Sequence, residues 1–344
     1  MKLECCRLNL MVAMASIALL AACSSAKPVT SLKAEQTGTV RFYSWDASYA
    51  DLGTGQVPSK RVIVSGELSL PEGRSGPVPA VVINHNQGGI GASEKEAAKL
   101  ANSWGWAAMI VDSYSERGVT RRNARTEAPS SYSVADAFAA LDLLATDPAI
   151  DKSRIVAVGF SRGGNVNLLA DDERAVNAFA SRGERFAAFV SFYPGSCTVA
   201  YKTPRPTSAE QLVLMGALDP TAPLKKCQHI FDRIKGNGKQ VEEVVYPKAY
   251  HAFSDPRFAG RTTPAPSEGN WSGCADHFVE IQNDGNLHAT WVGKTFANQQ
   301  DLFDKTGGPF AGCTHGKSTY GGPTSAHTQA LGTFHALLNR IAAR

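Results

Sequence analysis

The 344-residue sequence predicts one α/β domain, built on a mostly parallel central sheet with helices on both faces. Beyond about residue 78, short β-branched apolar runs alternate with helix-like stretches, which is the pattern of consecutive strand and helix units. One such run, residues 155–158, is followed without a gap by Gly-x-Ser-x-Gly and a helical pattern. Hydrophobic residues make up 43% of the chain, enough for a large core, and no repeat or linker follows residue 37. These observations favour a single domain over residues 38–344.

The first 23 residues have the features of an export signal rather than of a folded element. Lys2 and Arg7 precede or border an apolar stretch, residues 8–20, that is too short for a comfortable membrane span. The stretch ends in Leu-Ala-Ala-Cys23, which resembles the lipobox of bacterial lipoproteins. That resemblance implies lipidation of Cys23, a tether over residues 24–37 and a location on the periplasmic side of a bacterial membrane, with the outer membrane favoured. An ordinary secretory signal cut nearby is the alternative.

The elements ahead of the Gly-x-Ser-x-Gly turn begin with an antiparallel pair of strands. These are predicted at residues 40–45 and 61–70, where apolar residues alternate in the second strand and a Pro-Glu-Gly turn signal follows it. Alternating units then follow: a strand at 80–83, a helix at 94–103, a strand at 107–111 and a helix at 133–145. For the last helix we predict Ser133 and Asp136 as a capping pair.

Behind the turn, the alternation continues to the end of the chain. Strands are predicted at residues 186–192, 212–215 and 241–246, and an amphipathic helix at 328–341 closes the fold. Before that helix lies an insertion, residues 256–325, which is rich in Gly, Pro, Ser and Thr but also carries aromatic residues. A loop of this length is functional or disordered, and its aromatic residues argue for order. A lid or wall over the site and a surface decoration both remain open.

The candidate nucleophile is Ser161, at the centre of the strand–turn–helix unit. Gly159 and Gly163 lack Cβ atoms, so the strand and the helix can approach closely enough to hold the serine in a strained turn. This context is that of a nucleophile elbow. The alternative interpretation is a Gly-rich turn with an ordinary helix-capping serine.

Two residues at later strand ends suit the roles of base and acid. Asp219 follows the strand at 212–215, and His251 lies in the loop after the strand at 241–246. This order, Ser then Asp then His, is the one expected on such a sheet, with His251 as general base and Asp219 orienting its imidazole. A loop-capping aspartate and a satisfied loop histidine are the alternatives. Asp112 is interpreted as a capping group or as a residue that supports the catalytic side chains from behind.

An oxyanion intermediate also needs hydrogen-bond donors. The backbone N–H of Arg162, directly after Ser161, is the first candidate, and the N–H of Gln87 in the Gly-rich loop after strand 80–83 is the second. His85, in the same loop, is interpreted as a packing residue.

Four cysteines remain once the predicted signal and Cys23 are set aside: Cys197, Cys227, Cys274 and Cys313. An even number in an oxidising compartment suggests two disulfides, and we favour pairing neighbours in sequence, although three connectivities are possible. No Cys-x-x-Cys or His-x-x-x-His spacing supports zinc, and no metal or cofactor is expected.

The formal net charge of +4 is small, and the basic residues are dispersed. This distribution lacks the basic stripe of a nucleic-acid-binding protein. Arg162 and the arginines at 117, 121, 122 and 125 suit an anionic substrate, but arginines of this kind are more often solvated.

Three segments together resemble the dienelactone hydrolase family of α/β-hydrolases. They are Gly-Phe-Ser161-Arg-Gly-Gly, Gly-Ala-Leu-Asp219 and Tyr-Pro-Lys-Ala-Tyr-His251-Ala-Phe, and the likeness covers roughly residues 60–255 and the final helix. The resemblance implies the α/β-hydrolase fold and a small-molecule ester or lactone as substrate. The chain departs from the founding enzymes, which have cysteine at Ser161, glutamate near Asn86 and arginine at Asp255. Ester hydrolysis therefore carries over, whereas dienelactone as the substrate does not.

Three functions are consistent with the sequence. The first is a periplasmic serine hydrolase that cleaves a carboxylic ester or lactone through an acyl-enzyme. The second is a peptidase or acyltransferase that uses the same triad. The third is a catalytically inactive binding lipoprotein, against which the intact Ser, Asp and His order argues. Oligomeric state is not readable from the sequence.

Overall fold

The computed structural model describes residues 27–344, so the predicted signal and Cys23 lie outside the described residues. Within that range, none of the helices has both the length and the apolar character needed to cross a membrane.

The described residues contain fourteen strands and nine α-helices. The strands are β1 (Gly38–Trp45), β2 (Arg61–Ser69), β3 (Val78–Asn84), β4 (Ala107–Asp112), β5 (Ile150–Phe160), β6 (Ala188–Phe192), β7 (Val199–Tyr201), β8 (Glu210–Gly216), β9 (Val241–Tyr246), β10 (Arg261–Gly269), β11 (Val279–Ile281), β12 (Leu287–Ala289), β13 (Lys294–Phe296) and β14 (Lys317–Gly322). The helices are α1 (Tyr49–Thr54), α2 (Ala92–Ser103), α3 (Ala124–Glu127), α4 (Ser130–Leu144), α5 (Arg162–Ala170), α6 (Glu173–Phe179), α7 (Leu224–Gly236), α8 (Gln299–Thr306) and α9 (Thr324–Ala342), with short 3₁₀ turns at Ser115–Arg117 and Ser272–Cys274.

The central sheet has eight strands in the order β1-β2-β4-β3-β5-β6-β8-β9. The first two strands run antiparallel, and β2 is antiparallel to β4. From β4 to β9 every neighbouring pair is parallel. The predicted α/β architecture with a mostly parallel sheet is therefore confirmed, and the carboxyl ends of β3, β5, β6, β8 and β9 meet at one edge.

Successive side chains of each strand point to opposite faces of the sheet, and helices pack on both faces. The sheet is therefore buried on both sides. On β3, Val82 belongs to the core formed with Phe138 of α4 and Leu169 of α5. Its neighbour Val81 belongs to the opposite core, formed with α2 and with Phe334 of α9. The apolar stripe predicted for the last helix thus covers the sheet, and α9 begins four residues earlier than predicted.

The start of α4 differs from its prediction. The helix begins at Ser130 after Pro129 instead of at residue 133, and no side chain caps it. Asp136, the expected capping partner, accepts hydrogen bonds from both terminal nitrogens of Arg117 at 2.8 and 2.9 Å, and from the Ser44 hydroxyl. The capping prediction was wrong because a buried cation from another element competes for the same carboxylate.

Part of the segment predicted as a tether, residues 24–37, packs on the domain. The Val29 N–H donates to the Arg41 carbonyl at 2.8 Å, and Leu32 is 6% exposed within the core. Apolar burial and sheet pairing thus join residues 29–32 to the folded domain.

The insertion after His251 is ordered and builds two small sheets. Strands β10 and β14 form an antiparallel pair, and β11, β12 and β13 extend from β7 in a four-stranded sheet. Disulfides join Cys197 to Cys227 and Cys274 to Cys313, the pairing favoured from sequence. The second disulfide closes the insertion on itself.

Candidate active site

Ser161 occupies a strained turn between β5 and α5. Its backbone angles are φ 51° and ψ −112°, a conformation that non-glycine residues rarely adopt. A Cβ added to Gly159 would lie 2.1 Å from the Gly163 carbonyl oxygen, and one added to Gly163 would lie 2.1 Å from the Asn84 carbonyl oxygen. Both glycines are therefore required by close backbone packing, as the sequence predicts.

The structure brings Asp219 and His251 to Ser161 in one hydrogen-bonded chain. Asp219 Oδ2 lies 2.7 Å from His251 Nδ1, and His251 Nε2 lies 2.9 Å from Ser161 Oγ. Asp219 Oδ1 accepts the N–H groups of Thr221 and Ala222 at 2.8 Å each, which orients the carboxylate. With Nδ1 donating to the carboxylate, Nε2 is left to accept the serine proton.

Backbone packing joins the loop that carries Asp219 to the loop that carries His251. A Cβ on Gly216 would lie 2.5 Å from the Ala249 carbonyl oxygen, so glycine allows the two loops to touch. The Leu218 N–H then donates to that same carbonyl at 3.0 Å. The His251 ring is held from the side by Tyr193, whose ring centroid is 4.9 Å away. His251 is 2% exposed, so its ring has little freedom to rotate.

Both predicted oxyanion donors border the cavity that contains Ser161. The loop carrying Gln87 is a turn in which Gly89 N–H donates to the Asn86 carbonyl and Gly88 N–H to the Asn86 side chain. Among the described residues, neither the Gln87 N–H nor the Arg162 N–H has an acceptor. Two free amides beside the serine suit a developing negative charge.

Gly195 keeps the space beside the Arg162 amide open. It follows β6, lines the cavity, and donates its N–H to the Ser161 carbonyl at 2.6 Å. A Cβ at this position would lie 2.9 Å from the Arg162 nitrogen and 3.0 Å from the Ser161 carbonyl carbon. Sequence reasoning did not identify Gly195, because it lies 34 residues beyond the serine and in no recognised motif.

The Arg162 side chain spans the oxyanion side of the cavity. Its Nη1 donates to Gln87 Oε1 at 3.2 Å and its Nη2 to the Ala128 carbonyl. Arg162 is 9% exposed, and no described carboxylate lies within ion-pair distance of it. Its Nε and the Gln87 Nε2 are buried without partners in the described part of the chain. The sequence suggested only a solvated or substrate-facing arginine and did not predict this bridge.

Glu94, at the start of α2, fixes the oxyanion loop from behind and was also missed. One carboxylate oxygen accepts the Asn86 N–H at 2.9 Å and the Asn86 side-chain amide at 2.8 Å. The other accepts the Gly91 N–H at 2.8 Å. Glu94 is fully buried, and burial raises its carboxyl pKa. A glycine three residues ahead of the glutamate was the available signal, since this is half of a capping box.

Other residues weighed from sequence have structural roles. His85 packs edge-on against Tyr114 with ring centroids 4.3 Å apart, and burial lowers its pKa. Asp112 accepts the N–H groups of Tyr114 and Ser115, which is the predicted capping role. Asp255, at the position where the founding enzymes have arginine, binds Arg257. Arg117 is not solvated, because it is held by Asp136.

The cavity beside Ser161 measures about 270 Å³. Its lining includes Gln87 and Gly88 of the loop after β3, Pro129, and a set of insertion residues: Phe258, Glu268, Trp271, Phe303, Phe310 and Tyr320. The insertion therefore contributes a wall of the cavity.

One group in the described residues has metal-ligand spacing. The ligand atoms of Cys274, His277 and Cys313 lie within 4.8 Å of one another. Both sulfurs are joined in the disulfide, so no thiolate is available and the group does not fit a resident metal.

Comparisons with known proteins place the chain among α/β enzymes. The profile described as the dienelactone hydrolase family matches residues 64–282. A Methylorubrum extorquens protein provisionally named carboxymethylenebutenolidase is 23% identical over 251 residues, which cover 68% of this chain and 82% of that protein.

Two solved structures are also similar. A dienelactone hydrolase-like promiscuous phosphotriesterase from metagenomic libraries shares 19% identity, with 88% of this chain and 99% of that chain covered and a TM-score of 0.49. An esterase from Thermogutta terrifontis shares 18% identity, with 56% and 82% covered and a TM-score of 0.44.

Proposed function

The chain belongs to the dienelactone hydrolase family and is a hydrolase acting on ester bonds, and from this premise we propose that it cleaves a carboxylic ester or lactone through an acyl-enzyme on Ser161. The observation that carries this proposal is the chain of two hydrogen bonds from Asp219 through His251 to Ser161 at the wall of a cavity. A serine hydroxyl needs such a base to become nucleophilic.

Acylation begins when the Ser161 hydroxyl proton moves to His251 Nε2. Ser161 Oγ bonds to the carbonyl carbon of the ester, and the π electrons move to the carbonyl oxygen. The N–H groups of Gln87 and Arg162 receive this oxyanion, and Asp219 stabilises the imidazolium. Collapse of the intermediate breaks the carbon–oxygen bond to the alcohol, which takes the proton from His251 Nε2.

Deacylation repeats these steps with water. His251 accepts a proton from a water molecule, whose oxygen attacks the acyl carbon, and the second intermediate again rests on the same two amides. Breaking the acyl–Oγ bond returns the proton to Ser161 and releases the carboxylic acid. In a lactone the leaving alcohol stays attached to the acyl group, so one product forms.

We propose further that the protein works outside the cytoplasm, as a lipoprotein anchored through Cys23 on the periplasmic side of a bacterial membrane. The lipobox-like sequence supports the anchor. The two disulfides support an oxidising compartment. Detergent partitioning of the full-length protein and of a Cys23→Ala variant, followed by mass spectrometry of the N-terminal peptide, tests this location.

Labelling with a fluorophosphonate tests the catalytic assignment. The chain from residue 27 onward should be modified at Ser161, located by peptide mass spectrometry, and lose the label in Ser161→Ala and His251→Ala. Ser130→Ala is the matched control, because Ser130 lines the same cavity whereas Ser161 is the serine hydrogen-bonded to the His251 imidazole. A label at another residue would overturn the assignment. Folded protein that takes no label and hydrolyses no ester would favour a binding role.

A further inference from the structure

The insertion brings five aromatic side chains to the cavity that contains Ser161. We call them the aromatic wall: Phe258, Trp271, Phe303, Phe310 and Tyr320. Trp271 is 6% exposed and the other four are half-buried. All five lie in the insertion, residues 256–325.

One end of the aromatic wall lies beside the base. Tyr320, on β14, forms a bridge to the backbone of His251, and the centroids of their rings are 5.6 Å apart. Phe258 meets Tyr320 edge-on at 5.4 Å. The aromatic wall therefore begins next to His251 and lines the same cavity as Ser161.

The other end of the aromatic wall is fixed to the loop that carries Asp219. Trp271 stacks on Phe310 with ring centroids 4.1 Å apart and an angle of 17° between the planes. The backbone N–H of Trp271 donates to the carbonyl of Pro220, the residue after Asp219, at 2.8 Å. The Cys274–Cys313 disulfide lies three residues beyond each ring in sequence and packs in the same cluster. The stacked pair is therefore held at a set distance from the triad.

Two cations lie at this end: the buried Lys226, 5.9 Å from the Phe310 ring centroid, donates to the Thr198 hydroxyl, and Arg125 is paired with a carboxylate. The Arg125 guanidinium lies 4.9 Å from the Trp271 ring centroid and 5.3 Å from that of Phe310, and donates to Glu268 at 2.9 Å. Because the Arg125 cation is matched by a carboxylate and by two ring faces, this end of the cavity calls for a neutral, flat group.

We propose that the aromatic wall recognises an aromatic ring of the ester, on its acyl or its alcohol side. This inference rests on the proposed ester hydrolysis and names its substrate class. Aromatic pairs at centroid distances of 4.5–7 Å gain attraction beyond the area they bury, which corresponds to about two- to tenfold in binding per ring pair. A saturated ring of the same size buries similar area without that gain. The cavity therefore selects a planar ring over its saturated counterpart.

Matched ester pairs test the proposal on the protein as it exists. Methyl phenylacetate against methyl cyclohexylacetate probes the acyl side, and benzyl acetate against cyclohexylmethyl acetate probes the alcohol side. In neither pair is the ring conjugated to the ester, and each kcat/KM ratio is divided by the ratio of the two esters' alkaline hydrolysis rates, which removes the inductive effect of the phenyl group. We expect kcat/KM to favour the aromatic member by about three- to tenfold in at least one pair. Ratios within about twofold in both pairs, with esters still hydrolysed, would overturn the ring preference alone.

Two tryptophans of the insertion provide the variants. Trp271→Leu should bring the aromatic-to-saturated ratio close to one. Trp291→Leu makes the same change on a ring that stacks on His277 and is not among the described residues lining the cavity, so its ratio should match the wild type. If Trp271→Leu does not fold, Phe310→Leu replaces it. Equal ratios in the wild type and in the folded wall variant would contradict the assignment.

A binding measurement separates the two levels of the proposal. Ser161→Ala protein, titrated calorimetrically with phenylacetate against cyclohexylacetate and with benzyl alcohol against cyclohexylmethanol, should bind the aromatic member of at least one pair more tightly. If the wild type hydrolyses no ester, the proposed function fails, while the titration still decides the ring preference. Equal affinity for the aromatic and saturated ligands on both sides would overturn it.

Discussion

Gly195→Ala is a small change with a large expected effect on catalysis. The added methyl group would lie 2.9 Å from the Arg162 nitrogen, 3.0 Å from the Ser161 carbonyl carbon and 3.1 Å from the Arg162 Cα. All three atoms are backbone, so no side chain can rotate away. Gly195 is not in the left-handed region, so alanine itself fits the backbone and the cost arises from contact alone.

The expected magnitude follows from this crowding. Ordinary van der Waals contact begins at 3.4 Å, so the Gly195 and Ser161–Arg162 segments must separate by about 0.5 Å. Oxyanion donors act at 2.7–3.1 Å, and loss of one typically costs about 10²–10³ in kcat. We expect kcat to fall roughly 10²-fold, with KM changed little because the ground-state ester does not depend on that donor.

Steady-state hydrolysis of p-nitrophenyl butyrate measures this effect, with circular dichroism and urea unfolding as checks on the fold. Gly332→Ala is the matched control, since Gly332 lies inside α9 and a Cβ there meets nothing within 4 Å. That variant should keep full activity and gain about 0.5–1 kcal/mol in free energy of unfolding. A folded Gly195→Ala protein with kcat within about twofold of the wild type would refute the role given to the Arg162 amide.

Three further predictions concern the acid, a buried lysine and the insertion disulfide. Asp219→Asn should lower kcat by roughly 10³–10⁴ without unfolding the protein, because its side chain no longer fixes the His251 tautomer; unchanged kinetics would contradict the triad. Burial lowers the pKa of Lys226 from 10.5 to about 7, so the unfolded chain binds more protons above pH 7 and stability should rise with pH toward 10.5. Lys226→Met should remove that rise in urea titrations at pH 7 and 9.5, and an unaltered slope would contradict it. Cys274→Ala with Cys313→Ala should cost about 2–4 kcal/mol in free energy of unfolding and reduce the aromatic-to-saturated kcat/KM ratio, whereas an unchanged ratio would show that the disulfide does not hold the wall.

Much of the fold could be predicted because its signals are local. The β-branched run before Ser161 and the apolar stripe of the last helix are patterns within one element, and each produced the predicted element. The start of α4 could not be predicted in this way. Asp136 has the spacing of a capping residue, but Arg117, 19 residues earlier, competes for it. The spacing of residues within one helix gives no information about a partner from another element.

The same distinction applies to the site. Ser161, Asp219 and His251 could be proposed because each follows a strand, and parallel strands end at one sheet edge. The hydrogen bonds from Arg162 to Gln87 and from Asn86 to Glu94 could not be predicted, because they depend on which loops meet once the strands are arranged in the sheet.

The sequence by itself determined where the eight strands of the central sheet lie along the chain, the strained turn at Ser161 and the residues that can serve as base and acid. Residue volume, β-branching and the absence of Cβ atoms act on immediate neighbours, so these features are encoded where they occur. The tertiary structure alone decided that the insertion forms a wall of the cavity, that Arg125 pairs with Glu268 across 143 residues, and that Gly195 leaves space beside the Arg162 amide. Those contacts depend on sheet order and loop packing. They bring together side chains that are far apart in sequence, and no local pattern around either one indicates the other.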